Sequence, residues 1–128
     1  MSRFVRPETR TLTLANGDTL MVRARLTAGE QRAQFARMYT LAATGRYVAN
    51  PMMSGLGLIL SYLLDWNFRD DAGNLVAIRD LSTEDLERVI DSLDTESFQE
   101  IKAAIERHEA AMLEERDEEK KILVGGMP

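Results

Sequence analysis

The 128-residue chain is long enough for one domain with its own core, and its lack of cysteine removes disulfides, thiolate metal ligands and thiol nucleophiles. Hydrophobic residues at 45% and charged residues at 29% are ordinary globular values, which excludes general disorder. The net charge of −5 argues against a general nucleic-acid binder, because phosphate neutralisation supplies most non-specific affinity.

The amino terminus, MSRFVRPETR, has no apolar stretch of the signal-peptide kind, so a soluble intracellular product is expected. Residues 9–27 predict a β-hairpin. Leu12 and Leu14 alternate with threonines before Asn16-Gly17, and Leu20, Val22, Ala24 and Leu26 alternate with Met21, Arg23 and Arg25 after it. Asn-Gly between alternating strands predicts a type I′ turn, with positive φ at both central residues. Such a hairpin is marginal in water by itself, so its apolar face is expected to pack on the helices or to add to a sheet. Thr27-Ala-Gly-Glu30 has the form of a capping box and opens a first helix. Phe35, Met38, Tyr39 and Ala42 fall near one face of that helix, Gly45 reads as the residue just past its end, and Arg46 to Asn50 as a short connection.

Asn50 and Pro51 suit the cap and first turn of a second helix. From Met52 to Leu64 the only polar groups are Ser54, Ser61 and the Tyr62 hydroxyl, so this helix is expected to be central and buried. Its 13 residues fall short of the roughly 20 that span a bilayer, and no membrane partner is expected. Gly55 and Gly57 point to the close approach of another backbone or to a frayed start. Trp66 to Arg69 and Leu75 to Ile78 flank an Asp-Asp-Ala-Gly-Asn turn, and read as a small hairpin or as a loop lying over the core. Ser82-Thr-Glu-Asp85 opens a third helix with Leu86, Val89, Ile90 and Leu93 at helical spacing. Asp94 or Thr95 opens a fourth, whose stripe is Phe98, Ile101, Ile105, His108 and Met112. Its later turns, LEERDEEKK, are expected to protrude or fray, and residues 122–128 to form a flexible tail. The expected fold class is α+β, mainly α: an N-terminal β-hairpin packed on a bundle of about four helices. A single globular domain covers 1–121, with the hairpin at 9–27 and the helical part at 28–121.

No catalytic set is legible. The chain lacks G-x-S-x-G, a phosphate-binding loop and a complete G-x-G-x-x-G. His108, the sole histidine, sits on an apolar stripe, where a satisfied structural role is expected rather than a zinc site. Asp65, Asp70, Asp71 and Asn74 lack calcium-loop spacing, and turn chemistry accounts for them. No enzyme activity, cofactor or metal is therefore expected. Charge is unevenly divided: residues 1–46 hold eight arginines against three acids, a balance of +5, and residues 47–128 hold eight bases against eighteen acids, a balance of −10. That division suits an acidic partner or self-association of copies head to tail. Seven methionines offer adaptable apolar contacts. The candidate partner-contact residues are Met52 and Met53 at the entrance to the apolar helix, and Trp66 and Phe68 at its exit.

Several of these features together resemble the tail assembly chaperones of long-tailed, siphovirus-like bacteriophages. They are the basic hairpin ending in Arg23-Ala-Arg25-Leu-Thr, the apolar helix running into LDWNFRDDAGNLVAI, and the acid-capped helices ending in ERHEAAMLEERDEEKK. A loose W-x-x-x-D-x-x-G-x-x-x-x-I pattern runs from Trp66 through Asp70 and Gly73 to Ile78. The resemblance covers most of residues 9 to 121. It implies a non-enzymatic helper that binds the tape measure protein, shields its long hydrophobic helices and helps recruit tail tube protein subunits. It implies action in the host cell cytoplasm and absence from the mature virion, and in many relatives a longer form made by ribosomal frameshifting. The alternative expectation is a minor structural virion component, such as a connector or tail-completion protein.

Overall fold

The computed structural model describes residues 2–125. Three times in succession the chain makes a hairpin and follows it with a helix. The first unit is β1 (Thr9–Thr13), β2 (Thr19–Arg23) and α1 (Ala28–Met38), and the second is β3 (Tyr39–Leu41), β4 (Tyr47–Ala49) and α2 (Pro51–Tyr62). The third starts with β5 (Leu63–Trp66), turns back through a bridge between Arg69 and Leu75, and continues into α3 (Thr83–Asp91). A last long helix, α4 (Thr95–Gly125), closes the domain. Helices thus outweigh strands, in the α+β class that the sequence predicts.

The three hairpin loops share one geometry. The amides of Leu14, Ala42 and Asp70 donate to the carbonyls of Asp18, Arg46 and Asn74, while those of Gly17, Gly45 and Gly73 donate to Leu14, Ala42 and Asp70. In each loop only the glycine has positive φ, +90°, +81° and +81° in turn. These are three-residue loops ending in a left-handed glycine, not the two-residue type I′ turn expected at Asn16-Gly17. Asn16 avoids positive φ and uses its side chain instead, its Oδ1 accepting from the Asp18 amide at 3.0 Å. Asp70 does the same work in the third loop, where Oδ1 accepts from the amides of Ala72 (3.0 Å) and Asn74 (2.9 Å).

One antiparallel sheet has the order β1-β2-β5, with an irregularity opposite Met21 and Val22 where β5 carries one extra residue. Its buried side chains Leu20 and Val22 lie in the core with Leu14, α2 residues Leu56 to Leu60, Trp66 and Ile78, against Leu86 and Ile90 of α3 and Ile101, Ala104 and Ile105 of α4. The apolar α2 is the central helix. Pro51 is its first residue, and all its side chains from Leu56 to Tyr62 are buried. Gly57 marks a close backbone approach: a Cβ there would sit 3.5 Å from the Gln34 carbonyl oxygen of α1. At Gly55 the neighbours are side chains of α4, Lys102 and Phe98.

The caps act as the sequence indicates. Thr27 Oγ1 accepts from the Glu30 amide at 3.1 Å and Glu30 Oε1 accepts from the Thr27 amide at 2.9 Å, a reciprocal capping box. Ser82 caps α3, and Asp94 caps α4 by accepting from the Ser97 amide and hydroxyl. The Ser97 hydrogen bonds hold the Asp94 carboxyl below the usual carboxylate range. The stripe of α4 is as expected, with Ile101, Ile105 and His108 buried and Phe98 and Met112 half-buried. Beyond Met112 the helix continues through residue 122, where the sequence reading starts a tail, to Gly125.

A correction falls between α1 and α2. The sequence reading runs the first helix on to Gly45, but α1 ends at Met38 and the next eleven residues form β3, a loop and β4. Gly45 is the left-handed residue of that loop rather than a helix terminator.

Candidate interaction surface

No side chain of α1 is fully buried. The helix leans on α2 through Gln34, Arg37 and Met38, while Phe35, expected on the core-facing side, is 48% exposed. The reason is local. The side of α1 that meets Gly57 carries Gln34, Arg37 and Met38, and Phe35 falls outside it. The capping box fixes the start of α1, and Glu30 Oε2 ties it to β2 through Arg23 Nε at 2.8 Å. Arg23 in turn donates from Nη1 to the Ser61 carbonyl of α2 at 2.8 Å.

The β3–β4 hairpin continues this outward-facing strip. Its register pairs Tyr39 with Ala49, Thr40 with Val48 and Leu41 with Tyr47, and all six side chains are exposed. Leu41 is 63% and Tyr47 73% exposed, with Tyr39 and Val48 also on the surface. A two-stranded hairpin gains stability by laying an apolar face on something, and here both faces meet solvent. Tyr39, Leu41 and Tyr47 share one face of the hairpin and, with Phe35 of α1, make up an exposed apolar strip outside the core; Val48 stands on the other face, and the exposed arginines Arg32 and Arg46 lie on α1 and in the hairpin loop. Large apolar side chains clustered on a surface mark contact sites far more often than scattered ones do.

The residues singled out from sequence lie elsewhere. Trp66 is 6% exposed; its Nε1 donates to the Val76 carbonyl at 2.7 Å, and its ring stacks on Phe68 with centroids 4.4 Å apart. Phe68 and Met53 are half-buried and packed against the core. The Met52 side chain lies outside the described residues. The sequence reading thus points to the two ends of α2, whereas the exposed aromatic strip precedes it. Two signals for that strip were present: the β-formers Tyr-Thr-Leu and Tyr-Val-Ala flank Ala42 to Arg46, and that loop has glycine at the same place as Leu14 to Asp18.

His108 is a satisfied core histidine. Its Nε2–H donates to the carbonyls of Arg23 at 3.0 Å and Ala24 at 3.1 Å, and its ring meets Tyr62 edge-on at 5.8 Å. Tyr62 donates to Glu109 Oε2 at 2.8 Å. Burial, and after it the hydrogen bond and charge of Glu109, raise the Tyr62 hydroxyl well above its ordinary pKa. The group spans β2, α2 and α4 and holds them together. Among the described residues no three histidine or acidic side chains are placed to hold a metal ion. An open cavity of about 300 Å³ lies between the N-terminal segment and the start of α1, lined by Val5, Pro7, Arg25 and Leu64 among others. No helix among the described residues is long and apolar enough to cross a membrane. No protein-family model, curated protein or solved structure matches the chain.

Proposed function

We propose that this chain is a non-enzymatic tail assembly chaperone of a long-tailed phage. It acts in the host cytoplasm, binds apolar faces of the tape measure protein, helps recruit tail tube protein subunits and leaves before the particle is finished. The observation that carries the reading is the aromatic and aliphatic strip on α1 and the β3–β4 hairpin, which lies outside a core that is complete without it. A helper for long amphipathic helices needs such a surface. It also benefits from side chains that re-pack, and Met38 is half-buried at the edge of this strip. The Trp66-to-Ile78 pattern adds the resemblance to the family. In this proposal the contact surface is the strip, and Trp66 and Phe68 support the fold beneath it.

The test is co-expression with a phage tape measure protein. The chaperone reading expects co-purification and a larger soluble fraction of the client, both reduced when Leu41 and Tyr47 are replaced by Ser in a chain that still folds. Client aggregation unchanged by the wild-type chain refutes it, and stoichiometric recovery of the chain in purified particles would move the assignment to a minor virion component.

A further inference from the structure

Beyond Met112, α4 leaves the core, and its next 13 residues extend it by roughly 20 Å. All the described side chains on this extension are exposed. One of its faces is uniformly acidic. Glu115, Glu118, Glu119 and Ile122 stand at i, i+3, i+4 and i+7, on one side of the helix. The other sides are mixed in charge, with Leu113, Arg116, Asp117 and Lys120 opposite and Glu114 and Lys121 at the flank. Like charges at i and i+4, as in Glu115 and Glu119, weaken a helix unless a cationic surface covers them. Among the described residues none of these three acids has an ion-pair partner.

The strip on α1 and the β3–β4 hairpin has the complementary character. Arg32 lies three residues before Phe35 on the solvent side of α1, and Arg46 stands next to Tyr47 in the hairpin. Neither arginine has an acid partner among the described residues. One molecule therefore carries an acidic helix face with an exposed isoleucine, and also a basic, aromatic strip.

We propose that the acidic face of the α4 extension of one copy docks on the α1–hairpin strip of a second copy, head to tail. Glu115, Glu118 and Glu119 face Arg32 and Arg46, and Ile122 meets the aromatic side chains. Because the two surfaces differ, each copy keeps one free, and association continues past the dimer into rings or short filaments. The proposal stands independently of the chaperone reading. If both hold, a client helix and the α4 extension compete for one strip.

Sedimentation of the purified chain from micromolar to near-millimolar concentration tests it. The expected result is concentration-dependent association beyond the dimer, roughly tenfold weaker when ionic strength rises from about 0.05 to about 0.5 M. The reversals Arg32→Glu with Arg46→Glu, or Glu115→Lys with Glu118→Lys and Glu119→Lys, are each expected to weaken association at least about tenfold. Combining all five changes in one chain is expected to restore it. All five residues are exposed, so circular dichroism and thermal melting should stay close to wild type. A wild-type chain that stays monomeric overturns the proposal and leaves the strip to a foreign partner. Association that ignores either reversal, or is not restored by the combination, also overturns it.

Discussion

Replacing Trp66 separates the core role of the α2 exit from any binding role. The indole is buried, donates to the Val76 carbonyl and stacks on Phe68, so three contributions disappear in Trp66→Ala. Removal of a core aromatic of this size costs about 3 to 5 kcal/mol, a range that includes the cavity left behind. The stack with Phe68 accounts for about 0.5 to 1.5 kcal/mol beyond area. The unpaired Val76 carbonyl adds about 1 kcal/mol, the low end for a group that is only partly buried. Because these overlap, about 4 to 5 kcal/mol is the expected loss, against a total of about 5 to 15 kcal/mol for a domain of this kind. Trp66→Phe keeps a ring against Phe68 and loses chiefly the hydrogen bond and some volume, so about 1 to 2 kcal/mol is expected. Urea unfolding followed by far-ultraviolet circular dichroism measures both, since the variants have no tryptophan fluorescence. A loss below about 1 kcal/mol for Trp66→Ala, or equal losses for the two variants, refutes the packing argument.

Other substitutions test the turns, the cap and the buried tyrosine. Gly17→Ala adds a methyl group into open space but at φ +90°, so urea midpoints should report a loss of about 1 to 2 kcal/mol from backbone strain alone. Gly57→Ala brings a methyl group only to ordinary contact distance of α1 and removes a helix-interior glycine, so it should be neutral or stabilising by up to about 1 kcal/mol; a marked loss would show that α1 cannot yield there. Thr27→Ala breaks the capping box, with an expected loss of about 0.5 to 2 kcal/mol and faster amide exchange in α1 than in α4. The Tyr62 hydroxyl is protonated to higher pH in the folded chain than in the unfolded one. Its contribution is therefore complete below the ordinary tyrosine pKa of 10.0 and declines as pH rises above it. Stability measured from pH 8 to 11 should fall above about pH 10 in the wild type and fall less in Tyr62→Phe.

The elements legible in the sequence were those whose side-chain period agrees with their surroundings. β2 alternates and is half-buried, α2 is apolar on nearly every face and central, and the α4 stripe that includes His108 faces the core. Residues 35–49 mislead because the helical period of Phe35, Met38, Tyr39 and Ala42 is real while the tertiary context for it is missing. Of that face only Met38 packs on α2, and the chain turns into strands directly after it. The exposed strip was missed for the same reason. Trp66 and Phe68 look like contact residues from their place at the exit of the apolar helix, but the third hairpin folds back over them through Val76, a contact set by tertiary structure.

The three hairpins share one loop, so the difference in their surroundings is informative. The first lays Leu20 and Val22 into the core, and the third lays Phe68 and Val76 against it. The second has side chains of the same kind, Leu41, Tyr47 and Val48, and all three are exposed. Loop chemistry alone does not hold two three-residue strands together in water. What keeps the middle hairpin in place on the isolated chain is its attachment at both ends, through α1 before it and through the Asn50 amide, which donates to the Met38 carbonyl at 2.7 Å where the strands meet α2. Two ends fixed and two faces uncovered describe a segment that is positioned by the fold yet not stabilised by the core. Covering it with a partner should therefore slow amide exchange in β3 and β4 more than anywhere in the first hairpin. Equal protection of both hairpins in the bound and free chain would show that the strip on α1 and β3–β4 is not where partners bind.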